Sequence, residues 1–438
     1  MRILMVAESF VPHLSGVTTS LLRSAENLRR RGHEVMFLAP SGRGFKPSDW
    51  SPTVLPSLPR AVHDDAFPAS RQTPESCPIS LAPGQTYEEV EGTPTVRMPS
   101  LPLAGYPTLR FSMGTVAAVR RLMADYRPDV VHIASPFVLG ARAVTAAHSL
   151  GIPSVAVYQT DVAAYTHRYG MPWLKAYANK RIASIHTTAT MTLAPSHSSM
   201  DYLESLEVPR VFKWGRGVDT ELFHPRRRSE AVRQKLGAVS GDTLVGFVGR
   251  LASEKQVEDL RVIQSLPGVK LVIIGGGPEL SRLKTTLHQA IFTGQLTGES
   301  LAEHVASLDV FTHPGEFETF GQTLQEAMAS GVATVAVGKG GPLDIIDDGV
   351  TGRLYEPGQL GMLRAIVESL RDPEARAPLS TNGRQAMEAR SWSAASLKLE
   401  GYYDRAIEFH RSRQLRRWRD ERGAQRRGPG RAASRHRV

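Results

Sequence analysis

Short apolar runs alternate with amphipathic stretches of helical length along this chain, the pattern of an α/β protein with parallel sheets. Ile3 to Ala7 is an unbroken apolar run of the kind buried on both faces of such a sheet. A helical period follows from Thr18 to Arg31 and stops at Gly32, after which His33 to Ala39 returns to strand character. Val130 to Ile133 and Ser154 to Tyr158 read as later strands of the same sheet. A second series opens near Thr243, with strands predicted at Leu244–Val248, Leu271–Ile274, Asp309–Thr312 and Val332–Val337. Between the series, Val208 to Phe223 carries Pro209, Gly215 and Gly217, which places the hinge there.

These patterns divide the chain into a first domain over 1–208, a second over 209–388, a C-terminal helical segment over 389–410 and a tail over 411–438. Helical periodicity in the third of these runs from Trp392 to His410. Residues 44–84 break the rhythm with eight prolines and no period, so they read as a long, disordered surface insertion. Tyr165 to Ile185 mixes Trp173, Leu174 and Tyr177 with Arg168, Lys175, Lys180 and Arg181. With Arg29 to Arg31 it could lie on an anionic membrane, or it could pack its aromatics inward.

Composition narrows the classes. A chain of 438 residues, 41% of them hydrophobic, can bury its own core without staples. Cys77 is the single cysteine, which excludes an intramolecular disulfide framework and thiolate-rich zinc sites. No apolar run approaches the roughly 18 residues that cross a bilayer. Met1 leads directly into a strand-like run rather than a signal-peptide layout, so a cytoplasmic placement is expected. The net charge of +10 is almost wholly local: residues 411–438 hold eleven Arg against Asp420 and Glu421. The body is therefore nearly neutral, and the tail is read as disordered and basic.

The chemistry-bearing segments lie in the second series. His313 to Gly331 follows a strand and runs into a helix, placing Glu318 in the entry loop and Glu326 one to two turns inside. The free N–H groups near Phe320 to Thr323, Gly321 among them, then face that loop, an arrangement that attracts phosphate. Two carboxylates beside an anion site suit sugar hydroxyls. Arg250 and Lys255 follow the Leu244–Val248 strand, and Arg supplies a planar fork where Lys supplies a mobile point charge, both suited to phosphate oxygens. Gly275-Gly276-Gly277 lacks both dinucleotide and P-loop spacing, so a tight turn explains it equally well. Asp347-Asp348 before Gly349 reads as a turn, and no metal-ligand pattern is present.

These segments resemble glycosyltransferase family 4. Glu318 and Glu326 match its Glu-x7-Glu motif, Gly249 to Lys255 its diphosphate clamp, and Phe10 to Val17 with Gly16 its N-terminal glycine loop. Arg216 to Asp219 with Phe223 and Pro225 match its domain linker, and Gly340 to Pro342 with Gly349 to Gly352 complete the set. The resemblance implies a retaining GT-B enzyme: two Rossmann-like domains facing a cleft, with a C-terminal helix returning to the first. It is nearest to actinobacterial GDP-mannose-dependent α-mannosyltransferases that act on lipid acceptors. It implies catalytic roles for Arg250, Lys255 and Glu318, and donor contacts from Gly16, Phe320, Gly321, Glu326 and Gly294. It places acceptor groups in the first domain at Tyr158, Gln159 and His132, and requires no cofactor or metal ion.

One position departs from the family. Many relatives carry a histidine where this chain has Gln159, which cannot act as a base. Either Asp161 takes the acceptor proton or the leaving phosphate does. The resulting expectation is a retaining transfer of mannose from GDP-mannose to a membrane glycolipid, by an enzyme held on the inner face of the plasma membrane. An epimerase or hydrolase on the same fold is the alternative. A nucleic-acid-binding role for the Arg tail is disfavoured, because the tail has one aromatic, Trp418, and the body has no basic stripe.

Overall fold

The computed structural model describes residues 1–12, 16–41, 79–103, 106–135, 137–159 and 172–426. The first domain is built on an eight-stranded sheet. Its spatial order is Val211–Lys213, Met191–Ala194, Ser154–Val157, Val130–Ile133, Arg2–Val6, Glu34–Pro40, Thr93–Met98 and Thr86–Val90. All neighbours are parallel except the last pair, a hairpin whose turn is Glu91-Gly92, both at positive φ. Alternation along Arg2–Val6 sends Ile3 and Met5 to one face and Leu4 and Val6 to the other. The first face is covered by the helix Gly16–Arg30 and by Leu399, Tyr402, Tyr403 and Ala406 of the C-terminal helix. The second is covered by the helices Val116–Tyr126 and Val138–Leu150.

The second domain has six parallel strands in the spatial order Ile291–Gly294, Val269–Ile274, Thr243–Val248, Val310–His313, Ala333–Val337 and Arg353–Tyr355. Numbered within the domain this is 3-2-1-4-5-6, the doubly wound order. The order reverses between Thr243–Val248 and Val310–His313, and ligands bind beyond the carboxyl ends of strands at such a reversal. The loops that leave those two strands carry Arg250 and Lys255 on one side and Glu318 on the other. Topology alone therefore brings the two motifs together.

Several boundaries differ from the sequence reading. Val211–Lys213 is the edge strand of the first sheet and Trp214 lies in the first domain's core, so that domain runs past residue 208. The crossing is only Gly215-Arg216-Gly217, since Val218, Leu222 and Phe223 are already in the second core. The chain crosses back beside it: the Val218 N–H donates to the Arg390 carbonyl, and Gly217 lies against the Trp392 backbone, where a Cβ would approach to 2.4 Å.

The C-terminal helix runs Trp392–Arg426, so 411–426 is helical and not a disordered tail. Arg, Gln and Leu are good helix formers and the first Pro is Pro429; charge counting alone missed that. At the other insertion, residues 42–78, with Cys77, lie outside the described residues. Its last part is packed: Ile79 is buried with Val96 and Met98. The strands Thr86–Val90 and Thr93–Met98 and the hairpin Ser100–Leu103/Tyr106–Ser112 add pairing that the apolar pattern did not signal.

Candidate active site

The site forms where the loop after Thr243–Val248 meets the loop after Val310–His313. Lys255 closes a short 3-10 turn, Ser253–Lys255, and its ammonium donates to Glu318 Oε2 at 2.6 Å. Glu318 Oε1 accepts from the backbone N–H of Phe320 at 3.3 Å and of Gly321 at 3.1 Å. Glu318 therefore braces the loop just ahead of the helix Gln322–Ala329, and of the donors expected to face the loop, Phe320 and Gly321 are already taken. Gln256 Oε1 accepts from the Glu316 N–H at 2.8 Å, stitching the two loops a second time.

Glycines allow these loops to touch. A Cβ at Gly341 would approach the Phe320 carbonyl oxygen to 2.4 Å, and one at Gly275 would approach the Gly249 oxygen to 1.9 Å. The Gly275–Gly277 run thus serves close packing beneath the Arg250 loop. Gly294 ends its strand at φ 76°, its carbonyl accepting from the Gly275 N–H.

Charge in the site is arranged in pairs. Burial would raise the Glu318 carboxyl, but Lys255 and His313 hold it well below the ordinary range. Burial lowers His313, so its ring is neutral between Phe247 and Glu318. Arg250 donates to Glu254 at 2.7 Å and remains about half exposed. Glu326, one helical face further in, is pushed up to about 8 by burial, with Asp219 adding to the effect. The free protein thus holds one ionised and one protonated carboxyl group eight residues apart, set by their different surroundings.

The first domain contributes less than the sequence reading assigned to it. Gln159 is buried and its Oε1 accepts from Arg216 Nη2 at 2.9 Å, so it borders the cleft at the crossing. Tyr158 points away, packed against His186 and Tyr202 within the core. His132 is also an interior residue: its Nδ1 meets the Tyr403 hydroxyl at 2.8 Å and its ring packs on Trp214. Burial pulls its pKa down to about 3, so it is neutral and structural rather than an acceptor group. Both lie on strand faces or ends that turn inward, which their sequence neighbours did not reveal. Asp161 lies outside the described residues. Gly16 opens the first helix directly below Arg216.

Arg216 is the residue the sequence reading passed over. Its motif reads as a domain linker, yet its guanidinium lies over the Phe320 ring at 5.8 Å and beside Gly16. A basic residue between two glycines at a domain crossing was the available signal. Among the described residues no group of three His, Cys, Asp or Glu side chains is placed to hold a metal ion. No described helix is long and apolar enough to cross a membrane.

A doubly wound domain with a cation–carboxylate cluster at its reversal point, facing a second such domain, is the layout of the GT-B architecture. The family model "Glycosyltransferase Family 4" matches residues 14–222, and "Glycosyl transferases group 1" matches 228–386. The chain is 39% identical over 407 residues to a GDP-mannose-dependent alpha-mannosyltransferase of Corynebacterium glutamicum, covering 92% of this chain and 88% of that one. It is 40% identical over 409 residues to the protein of the same description from Mycolicibacterium smegmatis, covering 93% and 98%. Among solved structures, sucrose-phosphate synthase of Thermosynechococcus elongatus shares the fold with a TM-score of 0.69 at 18% identity, over 93% of this chain and 99% of that one. This chain belongs to glycosyltransferase family 4.

Proposed function

We propose that this enzyme transfers mannose from GDP-mannose to a membrane glycolipid with retention of anomeric configuration. The observation that carries the reading is the Lys255–Glu318 pair at the carboxyl ends of the two reversal strands, with Arg250 beside it. As the sugar departs, charge gathers on the β-phosphate, and preorganised cations at developing charge are usually the largest catalytic contribution. Lys255 and Arg250 suit that phosphate, Glu318 suits hydroxyls of the transferred sugar, and Glu326 suits the ribose. Gln159 cannot act as base, which leaves Asp161 or the departing phosphate, and this reading assigns the acceptor proton to the phosphate. The two family members described as GDP-mannose-dependent support the donor. No metal ion or cofactor is required in this reading, in which Lys255 and Arg250 contact the diphosphate directly.

Lipid-surface attachment is supported by apolar side chains left in solvent. Leu101 and Phe111 face each other across the Ser100–Ser112 pairing and are 58% and 40% exposed, and Met113 follows at 55%. The Arg-rich end of the chain adds attraction to anionic headgroups at about 1 kcal/mol per charge near the surface.

Differential stabilisation tests the donor. A nucleotide at 100 times its dissociation constant adds about 2.7 kcal/mol to folding stability. GDP is expected to raise the melting temperature more than UDP at equal concentration, with the metal chelator EDTA making no difference. Stabilisation by UDP alone would overturn the mannosyl donor, and a glycolipid product lost on adding EDTA would overturn metal independence.

A further inference from the structure

The charges of the cleft balance in pairs until Arg216 is counted, and Arg216 leaves one positive charge in excess. Arg250 has Glu254 and Lys255 has Glu318, each at salt-bridge distance. Glu326 is protonated at neutral pH, since its pKa is about 8, and His313 is neutral. Arg216 remains. Glu318, already paired with Lys255, is the carboxylate that acts on it among the described residues. Its hydrogen bond among the described residues is to the neutral amide of Gln159, and its Nε is shut off from solvent without a partner among them. Burial lowers its pKa to about 10, so it is still charged at neutral pH. A cation withdrawn from water without its own counter-charge is costly to hold, and such a site gains from an anion.

Three parts of the cleft converge on that guanidinium. Nη2 is bound to Gln159 of the first domain at 2.9 Å. Nη1 lies where a Cβ at Gly16 would come within 2.7 Å, so the absent side chain there leaves it room. Its carbon stands over Phe320, whose N–H is held by Glu318. The residue itself is in the crossing Gly215–Gly217, with Gly217 pinned by the Gln322 side-chain amide at 3.1 Å. Arg216 is thus fixed on both sides, and its position does not depend on a mobile loop.

We infer that Arg216 is a third cation of the leaving-group site, donating from the linker to the β-phosphate of the nucleoside diphosphate. The inference rests on the nucleotide-sugar reading above and deepens it. In the transfer, the bond between the sugar C1 and the β-phosphate oxygen breaks and its electron pair stays on that oxygen. A bond forms between C1 and the acceptor oxygen, and the acceptor proton passes to the phosphate. Arg216 keeps its own proton throughout. Its fork strengthens its hold as charge grows on the phosphate, a charge-assisted contact added to those of Lys255 and Arg250.

The test is calorimetric titration of the full-length protein with GDP and with GMP, which lacks the β-phosphate, in wild type, Arg216→Gln and Arg216→Met. Methionine follows the arginine stem and removes an uncompensated charge, so that variant is expected to melt no lower than wild type even if the glutamine form folds poorly. Expected is a loss of about ten- to a hundredfold in GDP affinity in each variant, the scale of one hydrogen bond to a charged group, with GMP affinity within about twofold. Equal losses on GDP and GMP, or none on GDP, would overturn the inference while leaving GDP as the ligand. Failure of wild type to bind GDP would remove the donor reading itself, and this one with it.

Discussion

Lys255 donates to Glu318 at 2.6 Å across two loops that are 63 residues apart in sequence. The pair is the meeting of the clamp and the acidic motif, and it holds each group in place before substrate arrives. Replacing Lys255 by Ala, or Arg250 by Ala, is expected to lower turnover by at least about a hundredfold, the scale of losing one preorganised donor at developing charge. Steady-state kinetics on folded protein measures this; near-normal turnover in either variant would return that residue to the solvent-facing surface.

Because Glu318 is held below its ordinary range, it stabilises the fold above the unfolded pKa, near 4.5, and that contribution disappears as pH falls through the folded value. Glu318→Gln is expected to flatten the decline of melting temperature in the acid range. The same variant should impair turnover more than GDP affinity, because the proposed function assigns Glu318 to the transferred sugar rather than the ribose. Parallel loss of both quantities would undo that division.

Glu326 has the opposite sign. Its folded pKa of about 8 exceeds the ordinary 4.5, so the folded state binds the extra proton and stability falls as pH rises between those values. Glu326→Gln is therefore expected to melt above wild type at pH 8, with the gap closing toward pH 5, while GDP binds more weakly. Thermal scans across that range decide the matter, since a gap independent of pH would mean that the carboxyl does not titrate there.

A methyl group at Gly16 would lie 2.7 Å from Arg216 Nη1. The atom it meets is the far end of a flexible side chain, so Gly16→Ala should displace Arg216 rather than unfold the protein. Turnover is expected to fall by about tenfold or more, and the effect should largely vanish when Arg216→Met is already present. Residues in contact show such non-additivity, and full additivity in the double-mutant cycle would separate the two positions.

His132 makes the contrasting case. It bridges the first sheet to Tyr403 of the C-terminal helix, and a pKa near 3 keeps it neutral at every working pH. His132→Leu is expected to cost about 1–3 kcal/mol of stability, the penalty for leaving the buried Tyr403 hydroxyl unpaired, with turnover retained. Denaturant unfolding beside an activity assay measures both, and a collapse of turnover at unchanged stability would restore an acceptor role.

Much of the architecture was legible in the sequence because it is written in local periodicity. Apolar runs such as Ile3–Ala7 and Leu244–Val248 are short and alternate with helical stretches, which fits strands buried on both faces of a parallel sheet. The spacing of Glu318 and Glu326, with a strand before and a glycine after, was enough to seat one at a helix entrance and the other inside. The extent of the last helix was not legible, because a run of Arg side chains reads equally as tail or as helix until its packing against the first domain is known.

The sequence by itself determined the two α/β series, the crossing region between them and the motif residues Arg250, Lys255, Glu318 and Glu326. Only the tertiary structure decided which side chains share the cleft. Strand order placed Lys255 against Glu318, because a reversal between two parallel strands brings two distant loops to one edge. Strand facing took His132 and Tyr158 out of the site, since a residue at a strand end may point to the core or to the cleft with the same neighbours in sequence. Arg216 became visible as a site residue only when Gln159, Gly16 and Phe320 were seen around it, for its position depends on two chain crossings packed side by side.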